Sequence, residues 1–289
     1  MSKQEKIVRK QNERSMLEYQ YAARYYYNHA EKLSALAFLF ALFSVLSMML
    51  PEQKNNDWSC FLIGFPIVCD AISILLYYFM GKDVQTAALL RNYFDAVILD
   101  IDVNEYTDSL KRNIKDLTKL AIKKNINYAT VQIANTGRDN PPGVKDWYEF
   151  SKNYSDIEVV HECQRQNVWW NRKQLKFRTI VNVILLIVVL IILGLCINHG
   201  IELWRVGICA VSFIITFFDR IVNNIKYILV SKEIDGMSEN VDFYGNVKQI
   251  ANLQKHIADR RKIPILGINI LHQITNKRLS ERYASMTKD

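Results

Sequence analysis

Four residues that could bind a nucleotide recur at helical spacing in the stretch ECQRQNVWWNRKQLKFR, which covers residues 162–178. They stand four, three and four residues apart, which places them on one face of a helix: Arg165, Trp169, Arg172 and Lys176. Guanidinium groups bind phosphates through paired hydrogen bonds, and a tryptophan ring stacks on a planar base. This face therefore suits a flat, anionic ligand. The alternative is ordinary helix packing with arginine–carboxylate pairs.

A second aromatic pair, Trp147 and Tyr148, follows the Pro-Pro-Gly loop at residues 141–143. Trp169 lies about 16 Å along a helix axis from Ile180, where an uncharged apolar block begins. That distance is large for a tryptophan that anchors a helix at the membrane interface. We therefore expect both clusters to lie in the cytoplasm.

No enzyme signature accompanies these clusters. The sequence lacks G-x-x-x-x-G-K-[ST], G-x-G-x-x-G, H-E-x-x-H and G-x-S-x-G. His161, Glu162 and Cys163 are adjacent, but neighbours on a helix point about 100° apart and cannot converge on one metal ion. We therefore predict no catalytic residue, no metal ligand and no cofactor.

The hydrophobic residues come in four blocks, at 33–50, 58–80, 180–197 and 203–218. The first and third blocks carry no charge, the second carries only Asp70, and the fourth carries only Arg205. A helix needs about 20 mostly apolar residues to cross a bilayer. The blocks therefore predict four membrane-spanning helices.

The distribution of positive charge predicts the orientation of these helices. Residues 1–32 contain seven Lys and Arg, residues 81–179 contain sixteen and residues 219–289 contain twelve, whereas the links at 51–57 and 198–202 contain one and none. Cytoplasmic loops retain Lys and Arg. We expect a multi-pass membrane protein with both termini and the middle segment in the cytoplasm. Arg205 would then extend to the outer headgroups.

Asp70 lies near the middle of the second predicted span. A carboxylate within the bilayer is costly and is by default a sign of function. Asp70 could line a pore or form a contact between subunits. A structural aspartate, protonated or paired with another helix, is the alternative.

The whole chain is predicted to be helical. A capping box formed by Ser155 and Glu158 predicts that one helix begins near Asp156 and continues without a break to Ile197. We predict an all-α membrane protein, with four transmembrane helices and a cytoplasmic helical domain built from N-terminal, central and C-terminal segments. The predicted regions are a cytoplasmic amphipathic helix at 1–32, spans at 33–80, a central cytoplasmic region at 81–179, spans at 180–218 and C-terminal cytoplasmic helices at 219–289.

Several segments, in order along nearly the whole chain, resemble the SMODS-associated four-transmembrane effector family of bacterial antiphage operons. The segments KQNERSMLEYQYAARYYYNHAEK, ALLRNYFDAVILDID, KDWYEF and LQKHIADRRKIP share its pattern, and ECQRQNVWWNRKQLKFR is the most distinctive. The matching residues are Gln11, Asn12, Leu17, Ala23, Arg24, Tyr27, Ala30, Phe94, Asp95, Trp147, Tyr148, Cys163, Gln164, Arg165, Asn167, Trp169, Arg172, Gln254, Ile257 and Arg260. Asn171 departs from the family pattern, which usually has an acidic residue there.

The resemblance implies a role in cyclic-oligonucleotide-based antiphage signalling (CBASS). A neighbouring nucleotidyltransferase would make a cyclic di- or oligonucleotide on infection, and this protein would sense it and permeabilise the inner membrane, killing or arresting the cell. We expect a homo-oligomer, because one four-span subunit cannot easily enclose a wide pore, and we expect no binding of DNA or RNA. The predicted ligand contacts are Trp147, Tyr148, Gln164, Arg165, Asn167, Trp169 and Arg172. A constitutive channel or transporter subunit and a non-catalytic membrane scaffold are the alternatives.

Overall fold

The computed structural model describes residues 1–50, 56–241 and 247–264. These residues form eight α-helices and, within the described ranges, no strand. The helices are α1 Lys3–Gln11, α2 Arg14–Leu46, α3 Asn56–Leu99, α4 Asp108–Lys124, α5 Ile126–Ala134, α6 Asp156–Asn198, α7 Leu203–Glu239 and α8 Val247–Arg261. The predicted all-α architecture is confirmed. A further helix predicted at 269–283 lies outside the described residues.

The two long helices α2 and α3 pack against each other along their length. Small residues line the buried side of α2 at intervals of seven, seven and four: Ala23, Ala30, Ala37 and Ala41. Such residues let two helix backbones approach closely within a membrane. At one such approach the Ser73 hydroxyl of α3 donates a hydrogen bond to the carbonyl of Ala37 over 2.8 Å.

Two of the described helices, Arg14–Leu46 and Cys60–Leu99, are long and apolar enough to cross a membrane. A third qualifies if the two parts of α7, which bends between Val211 and Phe213, count as one span. The predicted third span falls on α6, whose described apolar part, Val183–Asn198, is shorter. The chain is thus an all-α membrane protein, and among the described residues two or three helices could span a membrane, against the four that the sequence predicts.

The structure corrects the prediction for Arg205. Its side chain is buried inside the protein instead of extending toward the headgroups. The guanidinium donates hydrogen bonds to the carbonyl oxygens of Ser47, over 3.3 Å, and of Leu50, over 2.9 Å. Carbonyls at the end of a helix lack partners within that helix. Arg205 therefore caps the segment that follows α2.

The predicted long helix is confirmed as α6. It has 43 residues, and its first turn forms the expected capping box between Ser155 and Glu158. At 1.5 Å per residue it is about 64 Å long. One uninterrupted helix therefore joins the buried residues near its start to the apolar segment that ends at Asn198. Helix α7 likewise continues through Gly236 to Glu239.

The loop between α5 and α6 folds back tightly on itself at Gly143. The Gly143 amide donates to the carbonyl of Thr136 over 2.6 Å. A Cβ atom at position 143 would lie 1.8 Å from the backbone oxygen of Asn135. Only glycine fits this close approach of two backbone segments.

Gly143→Ala is therefore expected to destabilise the protein by about 2–3 kcal/mol, since a rigid backbone must move to admit the methyl group. Thermal unfolding of the purified protein in detergent measures the loss. Gly137→Ala is the matched control, because a Cβ at 137 meets nothing within 4 Å. Equal unfolding temperatures for the two variants would contradict the prediction.

Candidate ligand site and the polar network behind it

A carboxylate with no exposed surface, Asp95 of α3, lies at the larger buried core of the protein, next to Phe94. Four side chains from three other segments donate hydrogen bonds to it. The donors are the hydroxyl of Tyr148 at 2.6 Å to Oδ1, and Asn167 Nδ2 at 3.3 Å, Gln254 Nε2 at 3.2 Å and Arg261 Nη2 at 2.7 Å, all three to Oδ2. We call these five residues the Asp95 network. It joins α3, the loop before α6, α6 itself and α8.

The electrostatics of the network suit a permanently buried charge. A buried carboxylate is costly unless it is paired and hydrogen-bonded, and Arg261 supplies the counter-charge. Burial would lower the pKa of Arg261, but the nearby Asp95 raises it above its ordinary value. Burial and the charge of Asp95 raise the pKa of Tyr148 well above 10, so its hydroxyl stays protonated and donates.

The junction between α1 and α2 holds Tyr148 in position. Gln11 Nε2 donates to the backbone oxygen of Tyr148 over 3.1 Å, and the Tyr148 amide donates back to Gln11 Oε1 over 2.8 Å. Asn12 also makes two hydrogen bonds with Asp146. Asn12 Nδ2 donates to Asp146 Oδ1 over 2.7 Å, and the Asp146 amide donates to Asn12 Oδ1 over 3.0 Å. Asp146 has a left-handed backbone, with φ of 54°. The N-terminal helices thus fix the loop that places the tyrosine against Asp95.

Further contacts attach α8 to α6. Gln164 Nε2 donates to the backbone oxygen of Ile250 over 2.9 Å and to Gln254 Oε1 over 3.1 Å. Arg260, which is 1% exposed, donates to the backbone oxygen of Asn167 over 3.2 Å and lies 5.5 Å from the ring centre of Tyr227. The N-terminal half of α6 is therefore held by α8 and by the loop that contains Tyr148.

The structure distributes the predicted ligand residues between two environments. Tyr148, Gln164 and Asn167 are buried in or beside the Asp95 network. The side chain of Arg165 is 64% exposed on the opposite side of α6, with its Nε 3.4 Å from Glu162 Oε2. Trp147 is half-buried, and the guanidinium of Arg91 lies 4.1 Å from its ring centre.

Two predicted residues lie where the structure describes only the backbone. Trp169 and Arg172 belong to α6, and the side chains of residues 169–179 are outside the described part of the chain. By sequence spacing alone, both belong to the helix face predicted to contain Arg165. The role of all seven residues in ligand binding stays a prediction.

Asp70 is buried in the apolar part of α3, with 7% of its surface exposed. A role in a pore or in a contact between subunits stays a prediction for this residue. Within residues 1–50, 56–241 and 247–264, no group of three or more His, Cys, Asp or Glu side chains could hold a metal ion.

The sequence analysis did not identify Arg91 or Arg261 as residues of the site. Asp95 and Gln254 were noted only through the family pattern. Arg91 and Asp95 do carry a signal, because they stand four residues apart in the otherwise uncharged stretch 84–99. Two opposite charges on one face of such a helix indicate a buried ionic site. Arg261 lies 166 residues from Asp95, and nothing local in the sequence connects them.

Comparison with known proteins identifies the family of the chain. The family model of the SMODS-associating 4TM effector domain matches residues 5–212. No curated protein and no solved structure matches the chain. The matched range contains Asp95, Tyr148 and Asn167 but ends before Gln254 and Arg261. The C-terminal helix α8 therefore completes the network from outside the matched domain.

Proposed function

The chain belongs to the SMODS-associating 4TM effector family, and from this premise we propose that this membrane effector senses a cyclic nucleotide in the cytoplasm and then permeabilises the bacterial inner membrane. The messenger would be a cyclic di- or oligonucleotide from a nucleotidyltransferase of the same antiphage system. We propose no catalytic role. Both termini would lie in the cytoplasm, together with the site that receives the messenger.

The continuity of α6 is the observation that carries this proposal. Gln164 and Asn167 hold its cytoplasmic half against α8 and Asp95, and the same helix enters the apolar segment at Val183. Asn167 and Val183 are about 24 Å apart along the axis. A tilt or rotation of the cytoplasmic half would therefore reach the bilayer without passing through a flexible joint.

The exposed face of α6 provides groups suited to a nucleotide. Arg165 and Arg172 would bind phosphates, and Trp169 would stack on a base. Trp147, with Arg91 over its ring, would provide a second aromatic surface. Tyr148, Gln164 and Asn167 would take part once the Asp95 network opens, because they are buried while it is closed.

The energies are sufficient for such a switch. A ligand shifts an equilibrium only if it binds one state more tightly than the other. Moving the population from 1:99 to 99:1 takes about 5.5 kcal/mol of differential binding. Two or three arginine–phosphate contacts that form only in the open state, at about 1.5–3 kcal/mol each, would supply that amount.

Permeabilisation would require several copies of the chain. The described apolar part of α6 presents large side chains on its surface, including Ile180, Ile184, Ile187 and Ile191, each more than half exposed. This apolar surface would contact lipid or a neighbouring subunit. A homo-oligomer that forms or rearranges through these helices would open the membrane.

Dye leakage from liposomes that carry the purified protein tests the proposal. We expect leakage with one member of a panel of cyclic di- and trinucleotides, and none with the linear nucleotide of the same composition. Liposomes without protein and a known pore former provide the two controls. Leakage in the absence of any nucleotide would instead favour a constitutive channel. The absence of leakage with every nucleotide would favour a non-catalytic membrane scaffold.

A further inference from the structure

The turn between α4 and α5 exposes an unusual combination of lysines and apolar side chains. Lys119, Lys123 and Lys124 are exposed, and no carboxylate among the described residues forms an ion pair with any of them. The sequence has no acidic residue from 117 to 138. This end of the hairpin is therefore strongly positive and carries no compensating charge of its own.

Large apolar side chains stand beside these lysines. Ile126, the first residue of α5, is 60% exposed, and Leu120 is 54% exposed. Tyr128 and Val131, further along α5, are each 41% exposed. A soluble helical hairpin that only needed solvation would carry polar groups here. Exposed apolar groups rimmed by one sign of charge are typical of a surface that binds a membrane.

The packing of α4 directs this end of the hairpin toward the bilayer. Near the start of α4, the tilted ring of Tyr106 packs against Tyr93, which in turn makes an edge contact with Tyr19 of α2. Eleven residues later, the carbonyl of Leu117 accepts a hydrogen bond from the hydroxyl of Tyr26. Since Tyr26 is nearer than Tyr19 to the apolar block of α2, α4 rises toward the membrane.

The rise along the two helices compares the turn with the start of the apolar block of α2. That block begins seven residues after Tyr26, about 10 Å along the axis. The turn at Asn125 is eight residues beyond Leu117, about 12 Å along α4. A helix α4 that continues in the direction of these contacts therefore ends at about the level where the apolar block of α2 begins.

We propose that the α4–α5 turn is a binding surface for anionic phospholipid. Lys119, Lys123 and Lys124 would contact headgroup phosphates, and Leu120 and Ile126 would enter the interfacial layer. Each lysine near an anionic leaflet strengthens attachment about fivefold. Three lysines would thus favour the attached state about 100-fold, less at high salt. The turn would hold the cytoplasmic domain against the membrane independently of any nucleotide.

An environment-sensitive fluorophore attached to a cysteine at position 126 tests this surface. The protein is the full chain with the substitutions Ile126→Cys and Cys60→Ser, the second of which removes an exposed cysteine. The protein is placed in nanodiscs of phosphatidylcholine, with or without phosphatidylglycerol, that contain lipids spin-labelled at the headgroup. We expect quenching in the anionic discs that is lost when Lys119, Lys123 and Lys124 are replaced by Gln. Replacing the exposed Lys6, Lys145 and Lys152 by Gln is the matched control, expected to leave quenching unchanged.

A label at Val8, 41% exposed on α1, reports the distant end of the cytoplasmic domain and should show no quenching. Equal quenching at position 126 in neutral and anionic discs, or quenching that survives the triple substitution, would overturn the proposal. So would a blue-shifted emission without lipid quenching, since that result means that another copy of the chain covers the surface.

Discussion

Asp95→Ala is expected to lower the free energy of unfolding by about 3–5 kcal/mol, the cost of leaving a buried charge without its partner. Arg261 would keep its charge in a site that is 7% exposed, and the donors on Tyr148, Asn167 and Gln254 would lose their acceptor. Thermal or denaturant unfolding in detergent measures the effect.

Asp259→Ala is the matched control for this variant. Asp259 lies on α8 and pairs with Lys262 at 2.7 Å, but both side chains are half exposed. Exposed pairs contribute below about 1 kcal/mol. If Asp95→Ala unfolds at the same denaturant concentration as Asp259→Ala, the network does not hold the cytoplasmic helices together.

Cys163 gives an independent measure of whether the network has opened. Its side chain has no exposed surface. Burial, with the charges of Asp95 and Glu162, raises the pKa of the thiol well above its ordinary value. Because the thiolate is the reactive form, alkylation should be slow in the closed protein. In a Cys60→Ser background, faster alkylation of Asp95→Ala would show that core side chains have been released.

The sequence was sufficient where a signal is local. The capping box at Ser155 predicted the start of α6. Arg205 shows why local signals are incomplete. Its extension toward the headgroups was predicted from the span that contains it. The carbonyl oxygens that accept its hydrogen bonds belong to the segment that follows α2.

The predicted ligand site shows the same limit more sharply. Helical spacing assigns a residue to a face but does not identify what packs on that face. Arg165 and Asn167 are two positions apart, so their side chains point about 200° from each other. One is exposed and the other is fixed to Asp95, 72 residues away in sequence. Residues that the family pattern grouped together therefore divide into an outer face and an inner network.

This division leads to the second large effect, on the messenger response. Arg165→Ala is expected to weaken nucleotide-triggered leakage by about 10- to 100-fold, the value of one guanidinium–phosphate contact. The unfolding temperature should change little, because the side chain of Arg165 is 64% exposed and its ion pair joins its Nε to Glu162 Oε2 over 3.4 Å. The measurement is the nucleotide concentration that gives half-maximal leakage.

Arg14→Ala is a close structural match for Arg165→Ala. Arg14 is 66% exposed and pairs with Glu18 four residues along α2, as Arg165 pairs with Glu162 three residues back along α6. It lies on a different helix from the proposed ligand face, so its loss should leave the leakage response intact. Equal responses from both variants would remove Arg165 from the ligand site, while an Arg165→Ala protein that fails only in leakage would separate sensing from stability. Asp95→Ala is expected to lower stability, whereas Arg165→Ala is expected to weaken only the leakage response. The two variants together would therefore distinguish the helix face that binds the messenger from the Asp95 network that the messenger has to open.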